Sequence, residues 1–258
     1  MGLFEFSEAE FELFLFVFFR TGALILFAPI LGSTSIPARL KIGLVLVLSF
    51  AIVPLVNPQS MPKPNGMFEL SIYLMSEMVV GIIIGYAGRL LFTSVQLAGT
   101  IVDFQMGFGV VNVIDPQTNS QVSISAQLQN VLAVLLFLAL NAHHFFIQAI
   151  VESFSLINLS AFHFSSFTME YLLQLFSATF VLGVKIAAPG MAVLFFTSVG
   201  LGLVARTVPQ MNVFIVGFPL QIGLGLLIVG LAMPFFGIMV KKQILALPME
   251  FVNLMRTM

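Results

Sequence analysis

Four ionisable side chains stand inside otherwise apolar stretches: Arg20, Glu77, Arg89 and Lys185. A charge held at the centre of a bilayer costs roughly 3 kcal/mol even on the lenient insertion scale, so such groups pair with one another or face a polar interior. Two readings stand: structural ion pairs at helix or subunit interfaces, or a path for protons or ions. No helix is expected to carry two carboxylates, which leaves a proton relay without support. Glu77 and Lys185 are each expected to be neutralised, by one another or by a group on a neighbouring chain. His143 and His144 are adjacent, so on a helix they diverge by about 100° and do not chelate one metal together. The nearest carboxylate, Glu152, is not at metalloprotease spacing, and no His-Glu-x-x-His appears. There are no cysteines, no Gly-x-Ser-x-Gly elbow and no phosphate-cradling glycine loop. The chain is therefore expected to be no enzyme and to hold neither metal nor cofactor.

Two further segments invite mechanical rather than chemical readings. "DFQMGFGVVNVIDPQTNSQ" spans Asp103–Gln121. Gly107 and Gly109 free the backbone, and Phe108, Val110, Val111, Val113 and Ile114 form an apolar lump around Asn112. Asp115-Pro116 then opens a turn, as Asx-Pro pairs do. The stretch is either a re-entrant loop packed in a core or a hydrophobic plug, since apolar constrictions close pores by excluding water. "ARTVPQMNVFIVGFPLQI", 205–222, joins two long apolar runs. It is either a plain hairpin turn or a working tip, with Arg206, Pro209, Gln210, Asn212 and Pro219 as its marked residues.

These segments hang on an unusually apolar chain. Of 258 residues, 59% are hydrophobic and 8% charged, with a mean hydropathy of +1.10. A soluble domain carries about 25% charged residues, so the class is integral membrane protein. The net charge of −1 offers no footprint for nucleic acid. With no Trp and three Tyr the usual interfacial aromatic belt is missing, so part of the apolar surface is expected to face protein. Glu5, Glu8, Glu10 and Glu12 precede any basic residue, which argues against a cleaved signal peptide.

Six apolar runs approach the roughly 20 residues that a spanning helix needs: about Leu13–Leu31, Ile42–Val56, Leu70–Phe92, Leu128–Val151, Tyr171–Val204 and Val213–Val240. Their lengths are uneven. "APG" at Ala188–Gly190 should interrupt the fifth, and Pro219 and Pro234 should bend the sixth. Thr93–Gln127 reads as too polar to span. Basic residues do not orient the chain. An outside N-terminus puts Arg39, Lys41, Arg89 and Arg206 on one side and Lys63, Lys241, Lys242 and Arg256 on the other. The expected fold is all-α: membrane helical hairpins with kinked helices.

Three stretches, "GFGVVNVIDPQTNSQVS", "LLFLALNAHHFFIQAI" and "ARTVPQMNVFIVGFPLQI", resemble the FliR family of type III export subunits, and the resemblance covers essentially the whole chain. It implies one subunit of a helical pore complex in the bacterial inner membrane, within the flagellar basal body. It implies a FliP-like portion over 1–170, and "VKIAAPGMAVLFF…RTVPQMNVFIVGFPLQIG" is similar to the FliQ-type hairpin, implied over 171–258. The implied partners are FliP-type, FliQ-type, FlhB-type and FlhA-type subunits and the unfolded flagellar proteins they export. Gly107–Pro116 falls on the family's plug. Gln210, Asn212 and Pro219 fall at the cytoplasmic hairpin tip, near the FlhB-type subunit. A virulence secretion subunit and a secondary transporter are the alternatives. The latter calls for an internal repeat, and the two halves show none.

Overall fold

The computed structural model describes residues 8–56, 64–108, 123–159, 162–210 and 212–258. Among them all regular structure is helical. The order is α1 (Glu8–Phe27), α2 (Ala38–Ile52, continued by a 3₁₀ turn over Val53–Leu55), α3 (Met67–Met106), α4 (Ile124–Ala139), α5 (His143–Leu156), α6 (Ser166–Thr207), α7 (Val213–Leu231) and α8 (Met233–Met255). The all-α membrane fold expected from composition is the fold found.

The helices do not follow the six apolar runs one for one. Among the described residues three segments, Ala38–Leu55, α3 and α6, are long and apolar enough to cross a membrane, and counting α4 with α5 and α7 with α8 as broken spans gives five. α3 and α6 hold 40 and 42 residues. At 1.5 Å per residue each is about 60 Å long, roughly twice a hydrocarbon core, so part of each must lie beyond the lipid.

Three local expectations are corrected. Thr93–Met106 is no connector: it continues α3, which consequently carries Glu69, Glu77 and Asp103 on one helix. "APG" does not end the fifth run, because Pro189 sits inside a continuous α6; helix on both sides outweighs one lost N–H bond. The fourth run is broken instead. Leu140 caps α4, and Asn141 takes φ 53°, a left-handed conformation that Asn tolerates better than most residues. The sixth run bends by 53° between α7 and α8. Pro234 lies in the first turn of α8, where its missing N–H removes no helical bond.

The described residues form two compact units, one drawn from Met1–Leu90, Asn141–Leu175 and Leu245–Met258, the other from Leu91–Leu140 and Phe176–Ile244. In the first, α1 and α3 approach closely at "GIIIG". A Cβ on Gly85 would fall 2.6 Å from the Leu24 carbonyl oxygen, and one on Gly81 would fall 2.9 Å from the Cβ of Ala23. Small residues at this spacing let membrane helices meet backbone to backbone. Phe16, Leu24, Ile84, Phe146 and Phe251 fill the surrounding core, and Phe146 meets Phe251 edge to face at 5.1 Å. The hydroxyls of Ser165 and Thr168 both donate to the Thr257 carbonyl, fastening the last residues to the start of α6.

In the second unit the core is Val95, Ala98, Val102, Met106, Ala133, Phe137, Ile186 and Leu194. Both units leave large apolar side chains uncovered: Val47 is 68% exposed, Phe196 and Ile215 71% each. A surface this apolar is built to meet lipid or other chains.

Candidate functional site

The charges inside the apolar runs divide into two kinds. Arg20, on α1, and Glu77, on α3, are buried to 0% and 1% exposure and form an ion pair, with Nε donating to Oε2 at 2.5 Å. Nη1 of Arg20 donates to the carbonyls of Ser153 (2.8 Å) and Ile157 (3.2 Å), where α5 ends. The guanidinium carbon lies 4.3 Å from the centre of the Phe154 ring. The partner of Glu77 thus comes from its own chain and is Arg20. Arg89 and Lys185 are instead exposed on α3 and α6.

The histidines open α5. Their ring centroids lie 4.2 Å apart with the planes tilted by 50°, His144 exposed and His143 half-buried. Among the described residues no three His, Cys, Asp or Glu side chains converge as metal ligands. Two places among the described residues carry mechanical geometry, the end of α3 and the turn between α6 and α7.

The strongest such geometry surrounds the end of α3. The helix stops at Met106, Gly107 turns at φ +92°, and its N–H donates to the Phe104 carbonyl at 3.2 Å. That φ lies where L side chains are strained and glycine is not. The Phe218 ring of α7 covers the position so closely that a Cβ there would fall 2.7 Å from the ring. Met106 is fully buried, and a Cβ on Gly225, also on α7, would collide with its sulfur. Of the expected plug residues, Gly107 and Phe108 are described, Phe108 being half-buried. Gly109, Val110, Val111, Asn112, Val113, Ile114, Asp115 and Pro116 lie outside the described residues.

The chain returns at Ser123, close to where it left. Asp103, 4% exposed in the last turn of α3, accepts from the Ser123 hydroxyl at 2.5 Å and from the Ser125 N–H at 3.0 Å. The Ser123 oxygen in turn accepts from the Ala126 N–H at 3.2 Å and caps α4. Just below, α3 and α4 touch through backbone: a Cβ on Gly99 would overlap the Ala126 backbone. Sequence reasoning passed over Asp103 and Ser123. The signals were present: an acid at the end of an apolar helix, and a Ser immediately before an apolar run, an N-cap pattern.

The turn between α6 and α7 falls within the 205–222 stretch, with Pro219 lying inside α7 rather than in the turn. α6 ends at Thr207 and α7 begins at Val213. Arg206, Pro209, Gln210, Asn212 and Pro219 are all exposed. Asn212 caps α7: its Oδ1 and its carbonyl both accept from the Ile215 N–H, at 3.4 and 3.1 Å. Farther along, Gln221 of α7 donates to the Ser198 hydroxyl of α6 at 3.0 Å.

Residues 11–247 match the model of the family described as "Bacterial export proteins, family 1". The chain is similar to the "Flagellar biosynthetic protein FliR" of three bacteria. That of Bacillus subtilis (strain 168) is 34% identical, covering 90% of each chain. That of Escherichia coli (strain K12) is 31% identical over 86% of this chain and 85% of its own. That of Aquifex aeolicus (strain VF5) is 32% identical over 92% and 91%.

Proposed function

Because the chain belongs to the bacterial export proteins, family 1, we propose that it is a core subunit of the flagellar protein export gate in the bacterial inner membrane. It would form and seal the secretion pore with FliP-type and FliQ-type subunits. In this reading 1–170 is the FliP-like portion and 171–258 the FliQ-like hairpin. FlhB-type and FlhA-type subunits meet the assembly, and unfolded flagellar proteins pass through it. The chain acts as a wall and a stopper, and performs no catalysis.

The observation that carries the proposal is the break at Gly107. A long, apolar membrane helix ends on a glycine that needs its positive φ, beneath the Phe218 ring of the hairpin, and gives way to an apolar, glycine-punctuated segment. A channel wide enough for an unfolded chain would dissipate the membrane potential if left open. Its seal has to exclude water and yet be able to withdraw. Gly107–Pro116 has the composition for both tasks.

Uncovered apolar faces and the exposed Lys185 in mid-helix support burial against further subunits. Ion pairing across subunits is the role proposed for Lys185 and Arg89, and the Arg20–Glu77 pair would hold the first unit in shape for that assembly. Arg206, Pro209, Gln210, Asn212 and Pro219 would form the cytoplasmic tip beside the FlhB-type subunit.

The test is the conductance of the assembled complex in planar bilayers. A complex lacking Gly107–Pro116, or carrying Ser at Phe108 and Val111, is expected to assemble and leak ions. An assembled deletion complex as tight as the parent would put the seal elsewhere.

A further inference from the structure

We infer that Asp103 is a positioning residue that fastens the end of α3 to the start of α4 and so fixes the neck between these two helices. Three observations carry this. First, the side chain is almost fully buried in an apolar membrane protein, a placement that is costly unless it serves a purpose. Second, its Oδ2 receives two donors at the start of α4, the Ser123 hydroxyl and the Ser125 N–H. The Ser123 oxygen passes the link on to the Ala126 N–H. One carboxylate therefore helps to satisfy the first turn of α4, whose N–H groups have no partner within the helix, while a negative charge suits that end of the helix dipole. Third, the backbones of α3 and α4 touch one turn away at Gly99 and Ala126. The neck is therefore held at two points along α3, one steric and one polar. The steric point fixes how closely the helices approach, and Asp103 fixes how far one slides along the other.

The inference rests on the plug reading for its effect on export, and the test separates the two. The full chain is assembled with its partner subunits as wild type, Asp103→Ala, Asp103→Asn, Ser123→Ala and a variant lacking Gly107–Pro116. Amide hydrogen exchange is followed at Ser125 and Ala126, and ionic conductance is recorded in planar bilayers. Hydrogen bonds to a charged acceptor are strong enough that Asp103→Ala should speed exchange at these two amides by at least about tenfold. Conductance should rise with it. Asp103→Asn, which keeps an acceptor oxygen, should restore most of both. If Asp103→Ala fails to assemble, Ser123→Ala carries the expectation at Ala126 and in conductance, since it removes the joining hydroxyl with little loss of volume while Ser125 keeps its own bond to Asp103. Unchanged exchange would overturn the inference. Faster exchange without added conductance, in a system where the deletion variant does leak, would reduce Asp103 to a helix cap and also overturn it. If the deletion variant stays tight as well, the plug reading fails, and exchange alone decides whether Asp103 fastens the neck.

Discussion

Each unit of the molecule buries a carboxylate, and the two solve its electrostatics differently. Glu77 is matched by a full opposite charge, Arg20, which is itself bonded to two carbonyls and lies against an aromatic ring. Asp103 is met by a hydroxyl and a backbone N–H at the start of a helix. The difference is one of energy and of reversibility. Removing one member of a buried ion pair strands the other and typically costs about 3–5 kcal/mol. Losing a hydrogen bond to a charged group costs about 1.5–3 kcal/mol. The first arrangement suits a region that must never open. The second suits a junction whose two sides stay in register yet separate more readily.

The largest expected effect tests the permanent side of this contrast. Arg20→Leu or Glu77→Leu alone should lower the stability of the chain by about 3–5 kcal/mol, enough to remove assembled protein from the membrane. The double variant Arg20→Met/Glu77→Leu should recover much of that loss, because an apolar pair of similar volume often replaces a buried ion pair at little cost. Abundance and thermal unfolding of the extracted complex provide the measure. Equal damage from the single and double variants would show that the charges serve a purpose beyond mutual neutralisation.

A smaller loss is expected where the contrast is steric. Gly85→Ala pushes a methyl to within 2.6 Å of the Leu24 carbonyl, so α1 and α3 must separate, at about 1–3 kcal/mol. Gly43→Ala on α2 is the matched control, with nothing within 4 Å of the added carbon. It should be neutral or stabilising, by up to about 1 kcal/mol, since Ala favours helix over Gly. If both variants unfold at the same temperature in the assembled complex, the close approach at "GIIIG" is not what holds the first unit.

What could be read in advance followed physical periods, and what could not depended on contacts. The membrane class, the helical fold and the hairpin around 205–222 were legible because composition and helix-breaking residues act locally. The extent of α3 was not. Thr93, Gln96, Thr100 and Asp103 looked too polar for a membrane helix, yet Thr100 bonds its own helix backbone and Asp103 finds donors on α4. The break at Asn141 was hidden for a related reason: one residue in a left-handed conformation divides a run whose hydropathy is unbroken. Gly107 was recognised as a joint, whereas the Phe218 ring above it lies more than 100 residues away in sequence and left no local trace. Arg20 likewise lies 57 residues from Glu77 and 133 from Ser153, and these separations conceal which groups meet.

The third prediction concerns that joint. Gly107→Ala places a methyl at φ +92° and beneath the Phe218 ring. Backbone strain of this kind is worth about 1–3 kcal/mol. It falls at the end of α3, so the complex should still assemble while the 107–116 segment is displaced. Conductance should rise, and Phe218→Ala, by making room for the methyl, should relieve part of the effect. Two variants whose effects simply add would mean that the ring and the glycine are not coupled.

The smallest expected effect lies at the hairpin tip and separates a structural role from a working one. Asn212 caps α7 through its own Oδ1, and Gln210 is exposed in the turn before it. Asn212→Ala should cost about 1 kcal/mol by loss of the cap. Asn212→Asp keeps a capping oxygen and adds a negative charge at the positive end of the helix dipole, so it should preserve the helix. Gln210→Ala should leave the fold unchanged. If the tip is only a turn, motility should follow the cap: impaired slightly in Asn212→Ala, normal in Asn212→Asp and Gln210→Ala. If the tip meets an FlhB-type subunit, Gln210→Ala should reduce motility although the complex forms and melts normally. Asn212→Asp should reduce it too, because the new charge faces outward from an intact helix. Swimming assays beside the melting temperature of the purified complex distinguish the two patterns. Normal swimming in Gln210→Ala and Asn212→Asp would assign the tip to folding alone.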